Sequence, residues 1–158
     1  MNFLEELISE YYSIQGYLII QNIRINPRKN GGHKNEIDIL VFHPCTKQII
    51  HIETSSDNKN RKDKIKNFKH KFKIDEQKIK KLFGNTHLPN SIKREGIILH
   101  GSPKKYKDFE LISVQKYIND IIKYLEDEKY STKKMVPEKY PLIRMILFTK
   151  LYHETKDK

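Results

Sequence analysis

Apolar positions along the chain fall into segments of two different periods, and the switches between them outline a layered fold. Over residues 2–15, Phe3, Leu4, Leu7, Ile8, Tyr11 and Ile14 recur at helical spacing. Asn2 stands where an N-cap is needed, Glu5 and Glu6 suit the positive end of the first turn, and Gly16 supplies a left-handed stop. The period then shortens. Residues 17–26 (YLIIQNIRIN), 36–42 (EIDILVF) and 48–54 (QIIHIET) are rich in β-branched and aromatic types and predict three strands. Residues 27–32 predict a turn and residues 43–47 a short loop, so the second and third strands are expected to pair as a hairpin.

A polar loop follows, and then the helical period returns over residues 62–83, with Ile65, Phe68, Phe72, Ile79 and Phe83 as its apolar stripe. The remaining surface of this predicted helix is crowded with lysine, at positions 62, 64, 66, 69, 71, 73, 78, 80 and 81. Gly84 and Asn85 are read as its stop. Residues 95–101 and 109–114 predict two more strands, separated by a basic loop over 102–108. Ile118, Ile121, Ile122 and Leu125 predict a helix over 115–127, and residues 140–152 predict a last one. The order α-β-β-β-α-β-β-α-α implies an α/β domain with a mixed β-sheet flanked by helices. The reading is a single domain over residues 1–158, with a core of about 1–127 and a C-terminal helical extension at about 137–153.

Charge changes the picture. The chain of 158 residues carries a net charge of +11, most of it from lysine, and such a surplus favours polyanionic partners. Cys45 is the single cysteine, which excludes an intramolecular disulfide and a cysteine-based zinc site. No apolar run approaches the roughly 20 residues of a membrane span, and the acidic opening MNFLEELISEYY does not read as a secretory leader. A cytoplasmic protein without membrane contact is expected. The absence of a glycine-rich phosphate loop disfavours nucleotide triphosphate hydrolysis.

Candidate chemistry lies on the hairpin. Glu36 and Asp38 are two apart on one strand and so are expected on one face, as are Glu53 and Ser55 on the next. Ile37, Ile39, Ile50 and Ile52 occupy the opposite phase and suit a packed sheet. A hairpin of this length can set Asp38 beside Glu53. Converging carboxylates repel one another unless a cation lies among them, and oxygen donors of this kind suit Mg²⁺ or Mn²⁺. The alternative is that Glu36, Asp38 and Glu53 line the solvated side of an amphipathic hairpin. His51 shares the face of Glu53 in a regular strand, but neither it nor His43 stands at ligand spacing with another His or Cys. Asp57 could extend the acid cluster but is read as a solvated loop residue, and Asn35 could be a turn residue.

The run GGHKNEIDILVF…QIIHIETS resembles the PD-(D/E)XK nuclease superfamily, the restriction-endonuclease-like enzymes, and LEELISEYYSIQGY is similar to the opening helix of its Mrr-like members. The resemblance implies a Mg²⁺- or Mn²⁺-dependent endonuclease acting on DNA. Asp38 and Glu53 would be the catalytic metal ligands, Glu36 an added metal ligand, and Glu5 the supporting acid of the first helix, with Glu6 and Glu10 as competing choices. The family's Glu-x-Lys is interrupted here, because Ser55 stands where its lysine is expected. Lys34, Lys59 or Lys62 could supply the missing ammonium, or Ser55 could hold a water. Lys34, Lys59, Lys62, Lys69, Lys73 and Lys80 are expected to contact nucleic acid. Members of this family often act as homodimers. A degenerate core that binds nucleic acid without cutting it is the rival expectation.

Overall fold

The computed structural model describes residues 2–57, 59–84, 91–130 and 132–156; for Lys34 and for residues 154–156 it describes the backbone alone. Helix α1 (Phe3–Ile14) is started as its sequence predicts. Asn2 accepts from the Glu5 backbone N–H and the Glu5 side chain reaches back to Asn2, a reciprocal capping box. Strands β1 (Leu18–Pro27), β2 (His33–Phe42) and β3 (Ile49–Ser55) follow. Asn35 belongs to β2, opposite Ile25 of β1, and is not a turn residue.

The single helix expected over 62–83 is two helices, α2 (Arg61–Lys71) and α3 (Glu76–Lys81). Asp75 causes the break: its side chain accepts from the Gln77 backbone N–H and so starts a new helix inside the apolar stripe. Gly84 has φ of +72° and ends this region as expected, while Asn85 lies outside the described residues. Strand β4 (Lys93–Ile98), a two-residue strand β5 (Lys104–Lys105), strand β6 (Glu110–Ser113), helix α4 (Val114–Asp127) and helix α5 (Pro141–Lys156) complete the order. Strand β5 is not legible in the basic loop, since two lysines carry no strand pattern; it forms by pairing antiparallel with β6.

The sheet is mixed, in the order β1-β2-β3-β4-β6-β5. β1, β2 and β3 form an antiparallel meander, whereas β3, β4 and β6 run parallel. Helices α1, α4 and α5 cover one face, where Leu7, Ile8, Ile39, Ile52, Ile97, Ile121 and Ile143 are fully buried. The other face meets α2 and α3 through Phe68, Phe72, Ile74 and Ile79. Helix α5 is no appendage to this arrangement. Tyr140, Ile143 and Leu147 lie in the main core, and the Glu10 carboxylate of α1 accepts from the Leu142 and Ile143 backbone N–H groups at 2.9 and 3.0 Å. Those donors belong to the first turn of α5, where no partner exists within the helix.

One irregularity shapes the site. Ile39 packs toward α1, yet Ile37 packs toward α3, although a regular strand would set them on one side. The partner strand makes the same switch, between Ile19 on the α1 side and Ile23 on the α3 side. Asn22 lies at the switch with φ of +53°, a left-handed conformation that asparagine tolerates better than most residues. Alternation therefore slips at the level of Asn22 and Asp38.

Candidate functional site

Asp38 lies where the hairpin ladder ends. The register of β2 with β3 runs from Phe42 opposite Ile49 to Ile39 opposite Ile52, and one further step would set Asp38 against Glu53. The strands part there, and the Asp38 side chain takes over the bonding. Its Oδ2 accepts from the Thr54 backbone N–H at 2.8 Å and from the Thr54 hydroxyl at 3.3 Å. This leaves Oδ1 directed elsewhere.

Lys71, in the last turn of α2, fills that direction. Its Nζ donates to Asp38 Oδ1 at 2.7 Å and to Glu53 Oε2 at 2.5 Å. Glu53 is fully buried and Lys71 about one-third exposed, so the ammonium closes the pocket from the solvent side. The second oxygen of Glu53, Oε1, lies 2.7 Å from Nε2 of His51, which is also fully buried. Phe72 packs its ring edge-on to the His51 imidazole at 4.9 Å.

The reach of Lys71 depends on how closely α2 lies on the sheet. Gly96, opposite Glu53 in the β3–β4 register, makes this possible. A Cβ at position 96 would lie 2.9 Å from the Phe68 ring. Phe68 thus packs onto bare backbone, one helical turn before Lys71.

Electrostatics follow from burial. Loss of water pushes the Glu53 carboxyl up to about 9, with the Asp38 charge adding to the shift and Lys71 opposing it. Burial pushes the His51 imidazole down to about 3, helped by the Arg94 charge. Burial also draws the Lys71 ammonium downward, but Glu53 and Asp38 outweigh it and hold the group above the usual lysine range.

The other expected residues divide. Glu5 and Ser55 line the same pocket of about 280 Å³ as Asp38 and Lys71, together with Asn67 and Lys59. Glu5 Oε1 is 3.4 Å from the Thr54 hydroxyl, although this side chain also serves the capping box, with Asn2 Nδ2 at 2.6 Å. Glu10 does not compete for the helix-acid role, because it is buried and caps α5. Ser55 donates to Asp57 at 3.1 Å, and Lys59 pairs with Asp57 at 3.3 Å. Glu36 does not join the acids. It is exposed, and among the described residues no three His, Cys, Asp or Glu side chains gather as a metal-holding group. The slip in β2 alternation is the reason: residues two apart across it no longer share a face.

Of the lysines, Lys62 is exposed on α2, and the side chain of Lys34 lies outside the described residues. Lys69 and Lys73 are exposed and flank a separate cavity of about 490 Å³ with Arg94 and Phe109. Lys80 is half-buried on α3, so it does not extend a continuous stripe from α2. Two of the nine lysines turn away from open solvent to bond inward. Lys64 is buried and donates to the Asp57 carbonyl at 2.7 Å, and Lys71 meets the carboxylates. The legible signal was their phase, since Lys64 and Lys71 stand four before and three after Phe68, on the buried stripe.

Compared with protein-family models, with curated proteins and with solved structures, the chain gives no significant match. Among the described residues no helix is long and apolar enough to cross a membrane.

Proposed function

We propose that this chain is a divalent-metal-dependent nuclease of the PD-(D/E)XK plan, acting on DNA, in which Lys71 of α2 replaces the lysine missing two residues after Glu53. One observation carries the reading: a single ammonium group lies within 2.7 Å of Asp38 and 2.5 Å of Glu53, at the end of a parting hairpin. Two carboxylates that converge on one cation, one of them fully buried, form a donor set of hard oxygens, which fits Mg²⁺ or Mn²⁺. Asp38 and Glu53 would hold the ion, with Glu5 within reach of the same pocket. When bound, the ion supplies Lewis acidity toward a phosphoryl oxygen and a lowered pKa for water.

The chain's own residues then have distinct parts. Thr54 fixes Asp38 by two bonds to Oδ2, so that Oδ1 faces the pocket. Lys71, freed from the carboxylates, turns its ammonium to the scissile phosphate and stabilises the charge that develops there. Ser55, Asn67 and Lys59 border the pocket with donors suited to phosphate oxygens. In the reaction a water oxygen bonds to phosphorus, the P–O bond to one sugar breaks, and a phosphomonoester and a hydroxyl result.

A second reading rests on the same contact. Lys71 already bonds to both acids, as in a purely structural ion cluster, and the surplus of lysine alone supports a module that binds DNA without cutting it. Incubation of purified protein with plasmid and linear DNA in Mn²⁺ or Mg²⁺ separates the two. The nuclease reading expects cleavage that is lost in Asp38→Asn and falls at least about 100-fold in Lys71→Met. It also expects Lys71→Met to bind Mn²⁺ more tightly than wild type, because a competing cation is gone. Absence of cleavage together with Mn²⁺ affinity too weak to measure would leave the binding module.

A further inference from the structure

We infer that His51 is a positioning residue for the Glu53 carboxylate, holding one oxygen so that the other is presented to the cation; this rests on the metal-dependent reading above. The two oxygens of Glu53 are divided between two partners. Oε1 is 2.7 Å from His51 Nε2, and Oε2 is held by the ammonium that marks the cation position. The imidazole is itself fixed. It is fully buried in β3, and Phe72 stands edge-on against it from the C-terminus of α2. Rotation of the Glu53 carboxyl would break the His51 bond inside a site closed to water.

Packing does not account for a histidine here. Nδ1 of His51 is buried without a hydrogen-bond partner among the described residues. An unpaired buried nitrogen destabilises a fold, and an apolar side chain of similar size would avoid that cost. What an apolar side chain could not do is engage Oε1. Outer partners of this kind orient metal-binding carboxylates, and their removal typically weakens metal affinity by about 10–100-fold.

The experiment compares His51→Leu with His51→Gln, which keeps an N–H donor on a longer stem. Mn²⁺ affinity is measured by calorimetry on purified protein without DNA, and melting temperature is measured in chelator. We expect His51→Leu to bind Mn²⁺ at least tenfold more weakly than wild type, with a folded melt in chelator that confirms the scaffold, and His51→Gln to recover most of the affinity. Wild-type affinity in His51→Leu overturns the assignment, as does a glutamine variant that binds no better than the leucine one. If His51→Leu does not fold, His51→Met takes its place in the comparison. A wild-type protein that binds no Mn²⁺ overturns the metal-dependent reading first and the role of His51 with it, so the two failures are distinguishable.

Discussion

The metal-free protein is expected to lose stability as pH rises from about 6.5 to about 9, and Glu53→Gln is expected to remove that loss. Burial and the neighbouring Asp38 push the Glu53 carboxyl from 4.5 up to about 9. Between those values the folded protein holds a proton that the unfolded chain has released, so stability falls with pH by about 1.4 kcal/mol per unit. His51 acts in the opposite sense. Burial and Arg94 push it from 6.5 down to about 3, so below its ordinary value the unfolded chain binds the extra proton and stability rises with pH. The two slopes offset each other between 4.5 and 6.5, and Glu53 acts alone above that. The upper window then gives a loss of at most about 3 kcal/mol, or roughly 6–12 °C in Tm for a chain of this size. Thermal melts in chelator at several pH values measure it directly. Added Mn²⁺ should restore the melting temperature at the alkaline end, where a cation favours the ionised carboxylate. A wild-type Tm that stays level across the window, or that falls equally in Glu53→Gln, would refute the buried-carboxyl account.

Two further outcomes test the scaffold and the surface. Gly96→Ala should destabilise the protein by about 1–3 kcal/mol, because the new methyl meets the Phe68 ring and lifts α2 from the sheet, and chemical denaturation measures this. Lys69→Glu with Lys73→Glu should weaken DNA binding of every sequence and reduce the salt slope by roughly 0.9 for each phosphate that is no longer neutralised; an unchanged slope would place the DNA elsewhere.

The elements with a clear period were legible in the sequence. The apolar spacing of α1, together with Asn2, marks both the helix and its cap, and the β-branched runs mark β1 to β3. The break after Phe72 was not legible, because the apolar stripe continues through Ile79 while one capping side chain, Asp75, decides the chain's path. The approach of Asp38 to Glu53 follows from hairpin length, but the exclusion of Glu36 does not. That depends on a left-handed Asn22 on the neighbouring strand, and alternation rules assume its absence. Lys71 falls among the surface lysines when charge alone is read, because charge usually marks solvent. Its phase with Phe68 carries the opposite message, and only the docking of α2 over Gly96 makes that phase decisive.

The bond from Glu10 to the start of α5 joins residues 132 and 133 positions apart, and this has a bearing on synthesis. A chain emerging from the ribosome presents α1 well before its partner α5. Until residues 136–147 emerge, Leu7, Ile8 and Tyr12 lack part of their cover and Glu10 keeps its water. The first helix therefore completes its packing only when nearly all of this sequence has been translated, at some seconds' delay given typical elongation of about 5–20 residues per second. Termination between residues 128 and 141 would yield a protein with every strand of the sheet but an unsealed apolar face, the form that cellular quality control recognises.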